Sequence, residues 1–235
     1  MVKLKLLTSL AIALLSLGLS APAALYNSGF ANGTTILDGN VNGWSDTRTV
    51  NGLGTTISSV SVTLNLSGGY NGDLYAYLSY NGSRVVLLNR VGVGSGNSFG
   101  YESSGMSITL ADNAAGGNIN VYGGGTMSGT FATDGRNISP LASAGSFDAA
   151  GTQTFSTSFG PGHSGGAMNP NGDWTLFIAD VSGGGGTSSF VSWSLNITTT
   201  AVPEPVNVAL GIFAGIGLIV GACRSRFWTK QPTQK

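Results

Sequence analysis

One pentapeptide in this chain has the spacing of a serine nucleophile. Gly162-His163-Ser164-Gly165-Gly166 matches G-x-S-x-G, the sharp turn that lifts a hydrolase serine between a strand and a helix. His163 is the single histidine of the chain and stands next to the serine it would have to deprotonate. Pro161 precedes the motif and glycine-rich chain surrounds it, where a strand and a helix are required. With 38 glycines in 235 residues, a chance match is expected. A surface loop is therefore the preferred reading. A serine hydrolase using Ser164 and His163 is kept as an alternative.

The aspartates form a second candidate site. Asp73, Asp112 and Asp180 each fall at the expected end of a strand or in a turn, where backbone carbonyls are also free. Hard oxygen donors of this kind suit calcium, which takes six to eight oxygens. The competing reading is that aspartate caps its own turn. A third candidate is the pair Tyr75 and Tyr77. Their alternation with Leu74, Ala76 and Leu78 puts both rings on the outer face of one strand. There they could take a sugar ring of an extracellular polysaccharide. The competing reading is ordinary aromatic pairing on a covered sheet face.

The elements that position these groups are strands. Val60, Val62, Leu64 and Leu66 alternate with polar residues within 57–66, and Leu74, Ala76, Leu78 and Tyr80 do so within 73–80. Asn81-Gly82 predicts a tight hairpin returning through 85–88. Short strands are also expected at 107–110 and weakly within 121–131. A closing pair is expected at 173–179 and 190–198, with Trp174, Leu176 and Ile178 inward on one and Val191, Trp193, Leu195 and Ile197 on the other. Residues 25–50 read as an irregular lead-in with one short strand. No stretch from 25 to 200 has a helical apolar period. Many short strands at about ten-residue spacing predict an all-β, antiparallel, jelly-roll-like sandwich.

Charge is unevenly placed. Residues 25–200 hold four arginines and nine carboxylates, a net charge of −5. Such a domain is a poor nucleic-acid binder, because phosphate contacts need clustered cations. The remaining cations flank two apolar segments. Residues 1–23 have a basic start, an apolar run and small residues before Leu25, the form of a secretory signal peptide cleaved after Ala23. At the other end Pro203-Glu204-Pro205 precedes an apolar run, 206–223, which is followed by Arg224 and Arg226. That run is near the lower limit for a membrane-spanning helix. Cys223 is the single cysteine, so the domain has no internal disulfide.

Two resemblances follow from these residues. The tail 201–226, with its basic end 227–235, resembles a PEP-CTERM sorting signal. It implies an exosortase as processing partner, transient anchoring in the inner membrane, and delivery to a bacterial surface rich in extracellular polysaccharide. The body, 24–200, is similar over about residues 35 to 198 to the P domain (P/Homo B) of subtilisin-like proprotein convertases. The match lies in Val60-Ser61-Val62-Thr63-Leu64-Asn65-Leu66, Gly72-Asp73-Leu74, Asn81-Gly82-Ser83, Leu110-Ala111-Asp112, Ser128-Gly129-Thr130-Phe131, Asn171-Gly172-Asp173-Trp174-Thr175-Leu176 and Ser192-Trp193-Ser194-Leu195. The P-domain resemblance implies a jelly roll and allows structural calcium on Asp73, Asp112 and Asp180. The combined expectation is an exported, non-catalytic surface or matrix module. The alternative is an accessory domain of a separately encoded subtilisin-like serine protease.

Overall fold

The computed structural model describes residues 24–200. The signal peptide read in 1–23, the sorting motif residues Pro203, Glu204, Pro205, Arg224 and Arg226, the apolar run 206–223 and the basic end 227–235 lie outside the described residues. Among the described residues no helix is long and apolar enough to cross a membrane.

Nine strands form two facing sheets. They are β1 (Leu25–Ile36), β2 (Trp44–Val50), β3 (Ile57–Gly68), β4 (Leu74–Tyr80), β5 (Ser83–Asn89), β6 (Met106–Ala111), β7 (Met127–Phe131), β8 (Gly172–Asp180) and β9 (Ser188–Thr199). One sheet has the order β1-β9-β3-β6-β7 and the other β2-β8-β4-β5. Leaving β7 aside, eight strands divide four and four, the strand count of a jelly roll. β7 is an addition that pairs parallel with β6, so the sandwich is not wholly antiparallel.

The period-2 pattern dictates the core. Val60, Val62, Leu64 and Leu66 of β3 are buried, as are Leu74, Ala76, Leu78 and Tyr80 of β4. Burying each large apolar side chain contributes about 1.5–3 kcal/mol. The Asn81-Gly82 turn forms with φ of 46° and 78°, the left-handed pair that a type I′ hairpin needs.

Three expectations are corrected. Residues 25–50 are not an irregular lead-in but hold two strands, β1 and β2, at sheet edges. Their inward positions mix Ser28, Asn32 and Thr34 with Tyr26 and Phe30, so no apolar period marks them. Long-range contacts to β9 hold them instead, β1 within its own sheet and β2 across the sandwich. Phe30 packs on Trp193 at 4.9 Å and Trp44 on Phe190 at 4.9 Å. Asp46 of β2 accepts from Trp193 Nε1 at 2.8 Å and from Arg48 Nε at 2.9 Å. Second, 173–179 and 190–198 do not pair. β8 lies in one sheet and β9 in the other, each flanked by earlier strands. Trp174 stacks on Tyr80 at 4.2 Å and meets Phe159 edge-on, whereas Trp193 packs on Phe30. The two tryptophans therefore have different aromatic partners within one continuous core. Third, Val191 points outward, 48% exposed, and Phe190 is buried instead. A bulge in the β3–β9 ladder, where Asn65 faces Ser192 but Leu66 faces Phe190, shifts the alternation by one residue.

Candidate functional site

The ladder registers bring three strand ends together. Ser188 at the start of β9 faces both Ile36, the end of β1, and Gly68, the end of β3. In the other sheet Leu74 faces Asp180. The segments 37–43, 69–73 and 181–187 therefore meet at one end of the sandwich. Asp180 is there because it continues the inward series Trp174, Leu176, Ile178 by one more step.

Asp180 is fully buried. Its Oδ1 accepts from the Gly39 and Ser182 N–H groups, each at 3.3 Å. Its Oδ2 is buried with no hydrogen-bond partner. Burial pushes this carboxyl up to about 6, against the pull of the two N–H groups; the charges of Asp73 and Asp38 add to the rise. Asp73 is 5% exposed. Its carboxyl is also raised by burial, with Arg90, 3.9 Å away, pulling it down. Asp38 is exposed and accepts the Gly184 N–H at 3.1 Å.

Asp73 and Asp180 are thus brought together, with Asp38 as a neighbour that the sequence reading missed. Asp38-Gly39 carries only a turn signal in the sequence, and the partner loop lies 141 residues away. Asp112 is at the opposite end, since Ala111 before it pairs with Ser61 near the start of β3. Its two oxygens accept from the Phe155 and Ser156 N–H groups at 2.9 and 2.7 Å. It caps a one-turn helix, α1 (Phe155–Ser158), where an acceptor and a negative charge are favoured. Among the described residues no group of three or more His, Cys, Asp or Glu side chains is gathered closely enough to hold a metal.

Tyr75 and Tyr77 do lie on the outer face of β4, but neither offers a bare ring. Tyr75 is 8% exposed. Tyr77 stacks on Phe177 of β8 at 4.8 Å, and the Arg84 guanidinium lies 5.9 Å from the Tyr77 ring centre. Beside them a shallow groove of about 590 Å³ is lined by Tyr77, Ser79, Arg84, Asp173 and Thr175. Its charges are one arginine, bonded to Asn137 at 2.8 Å, and Asp173, bonded to Thr49 at 2.5 Å.

The G-x-S-x-G segment follows α1 and lies in turns, with neither a strand before it nor a helix after it. His163 Nδ1 accepts from the Gly165 N–H at 3.2 Å, within its own loop. The geometry is a closed surface turn, not a nucleophile elbow.

No protein-family model matches the chain, and no curated protein does. Among the similar solved structures are two of one protease. One is the serine protease of Aeromonas sobria in complex with the chaperone ORF2, at a TM-score of 0.43 and 14% identity, covering 78% of this chain and 28% of that one. The other is the serine protease of Aeromonas sobria, at 0.41 and 14%, covering 77% and 28%. This chain thus spans 28% of the length of either match. At such TM-scores the likeness carries no functional argument, and the activity in those names belongs to those proteins.

Proposed function

We infer that this chain is a non-catalytic β-sandwich module that is exported, held through its tail, and works beside a separately encoded subtilisin-like serine protease. The strand order carries this reading. The segments that resemble a convertase P domain fall where a jelly roll uses them. Val60–Leu66 lies within β3, Asn81-Gly82-Ser83 makes the β4–β5 turn, and Asn171–Leu176 leads into β8. Ser192–Leu195 lies within β9, the strand between β1 and β3. Such a domain supports a protease without supplying its chemistry. The protease chemistry on this reading belongs to the partner, since His163 is spent within its own loop. The tail, read as an exosortase substrate, supplies the tether.

The matrix-binding reading has less geometry behind it. Stacking on a sugar needs an open aromatic face, and Tyr75 is buried while Tyr77 is covered by Phe177. The test is co-expression of the full chain with each subtilisin-like protease of its own source organism. Co-purification at a fixed ratio, with slower thermal inactivation of the protease, is expected. Unchanged inactivation for every candidate enzyme refutes the accessory role. Binding to an exopolysaccharide, lost in Tyr75→Ala/Tyr77→Ala, would restore the matrix role.

A further inference from the structure

We propose that the free edge of β1 pairs with the β1 edge of a second copy of this chain, antiparallel, about a two-fold axis at Ser28. This goes beyond the accessory reading and does not depend on it. The two sheets have four edges. An open edge invites pairing with another strand, and folded proteins normally blunt it with charge, shortness or cover. Three are blunted here. β5 is covered by 134–135, whose N–H groups bond to Leu87 and Val86. β7 has five residues, and Gly129 within it has φ +115°. β2 carries Asp46 and Arg48. β1 has twelve residues, Leu25–Ile36, with no charge and no proline. The acidic domain thus presents one long neutral edge, where a second copy meets no like charge.

The register fixes what that edge offers. The Thr199 N–H donates to the Ala24 carbonyl at 2.9 Å, which continues the Leu25–Thr198 register by one step. Bonded pairs alternate along an antiparallel ladder, so Tyr26, Ser28 and Phe30 turn their backbone groups to β9. Leu25, Asn27, Gly29 and Ala31 turn theirs away from it, and all four are exposed. The regular stretch ends at a register shift after Ala31, with Gly33 at φ +57°. Between those limits the sequence is nearly palindromic about Ser28. Tyr26 and Phe30 place a ring two residues to either side, and Leu25 and Ala31 an apolar residue three to either side. A two-fold axis there sets Asn27 against Gly29 of the second copy and Leu25 against its Ala31, each pair exchanging both N–H groups. It also sets Tyr26 against Phe30 of the second copy, an aromatic cross-strand pair. Both rings are only partly buried in the single chain. One patch that matches itself is the isologous contact of a two-fold dimer, and it favours a second copy over a foreign strand. An edge this short falls below the roughly 1,200–2,000 Å² of a stable interface, so the pair is weak and exchanging.

The test is oxidative cross-linking of the purified full chain, with Cys223, its single native cysteine, changed to serine. Across the axis Ser28 faces its own copy in a non-hydrogen-bonded pair, where Cα atoms stand about 4.5 Å apart, within disulfide reach. Ser28→Cys should therefore give a disulfide-linked dimer. Asn27→Cys, diagonal to its own copy at about 7–8 Å, should give roughly tenfold less. Asn27→Pro removes an N–H that β9 does not use, so the domain keeps its ladder while the edge loses a donor. Added to Ser28→Cys, it should cut the dimer roughly fivefold or more. Should that variant fail to fold, Asn27→Lys with Gly29→Lys takes its place. A Cβ on Gly29 meets nothing within 4 Å, and like charges then face each other across the axis. Circular dichroism and the melting temperature check that each variant is folded. No dimer from Ser28→Cys overturns the proposal. So does equal cross-linking from Asn27→Cys, the mark of random collision, or a Ser28→Cys dimer that neither edge variant reduces. A dimer seen by sedimentation that Ser28→Cys does not trap places the contact elsewhere and also overturns it.

Discussion

Arg136→Met should be among the most damaging single changes in this domain. Arg136 is 3% exposed and Asp134 is 0% exposed. The guanidinium donates to Asp134 Oδ1 at 2.7 Å and Oδ2 at 2.6 Å, to the carbonyls of Phe147 and Asn89, and to Asn120 Oδ1 at 2.7 Å. One side chain thus ties the end of β5 to three segments that lie outside the strands. It also pins the chain over an open edge, because the Asp134 and Gly135 N–H groups bond to the carbonyls of Leu87 and Val86 on β5. Methionine keeps much of the volume and removes every donor. Asp134 would then be a buried carboxylate with its counter-ion gone, a change that costs about 3–5 kcal/mol. For a domain of this size each kcal/mol moves the melting temperature by about 2–4 °C, so the loss is roughly 6–20 °C. Urea unfolding followed by tryptophan fluorescence measures it. Asp134→Leu added to Arg136→Met should restore part of the loss, since an apolar pair leaves no orphaned charge. A loss under about 1 kcal/mol in the single variant, or a double variant no better than the single, refutes the reasoning.

Three further outcomes are expected. Trp193→Ala removes a ring that is 1% exposed and the Nε1 donor that Asp46 uses, and should cost about 3–5 kcal/mol by urea unfolding. Gly43→Ala places a methyl at φ +56° and 2.4 Å from the Ile178 carbonyl; the backbone conformation alone costs about 1–3 kcal/mol, and an unchanged urea midpoint would contradict the packing described. Stability should rise as pH falls from 7 through about 6. Asp180 has its pKa raised from 3.8 to about 6 in the folded state, and Asp73 and Asp134 are shifted the same way, so protons bind the folded form first. Asp148, shifted down by its Ser95 bond, opposes this only at more acid pH. A urea midpoint that falls steadily from pH 7 to 5 would be the contrary result.

The sequence by itself determined the fold class and most of the central strands. β3, β4 and β6 alternate strictly because one face of each is dry, and the Asn81-Gly82 turn is a local chemical fact. The same local logic placed Tyr75 and Tyr77 on the outer face and put His163 in a surface loop. Tertiary structure decided what those readings could not. β1 and β2 exist because Phe30, Trp44 and Asp46 meet partners at Trp193 and Phe190, some 146 to 163 residues away, and a half-exposed edge needs no apolar period. A single bulge reversed Val191 and Phe190, which no alternation pattern can announce. Asp112 and Asp180 look alike as strand-end aspartates, yet one caps a helix and the other is buried with a free oxygen. Which sheet end each strand reaches separates them, and that is set by register across the whole chain.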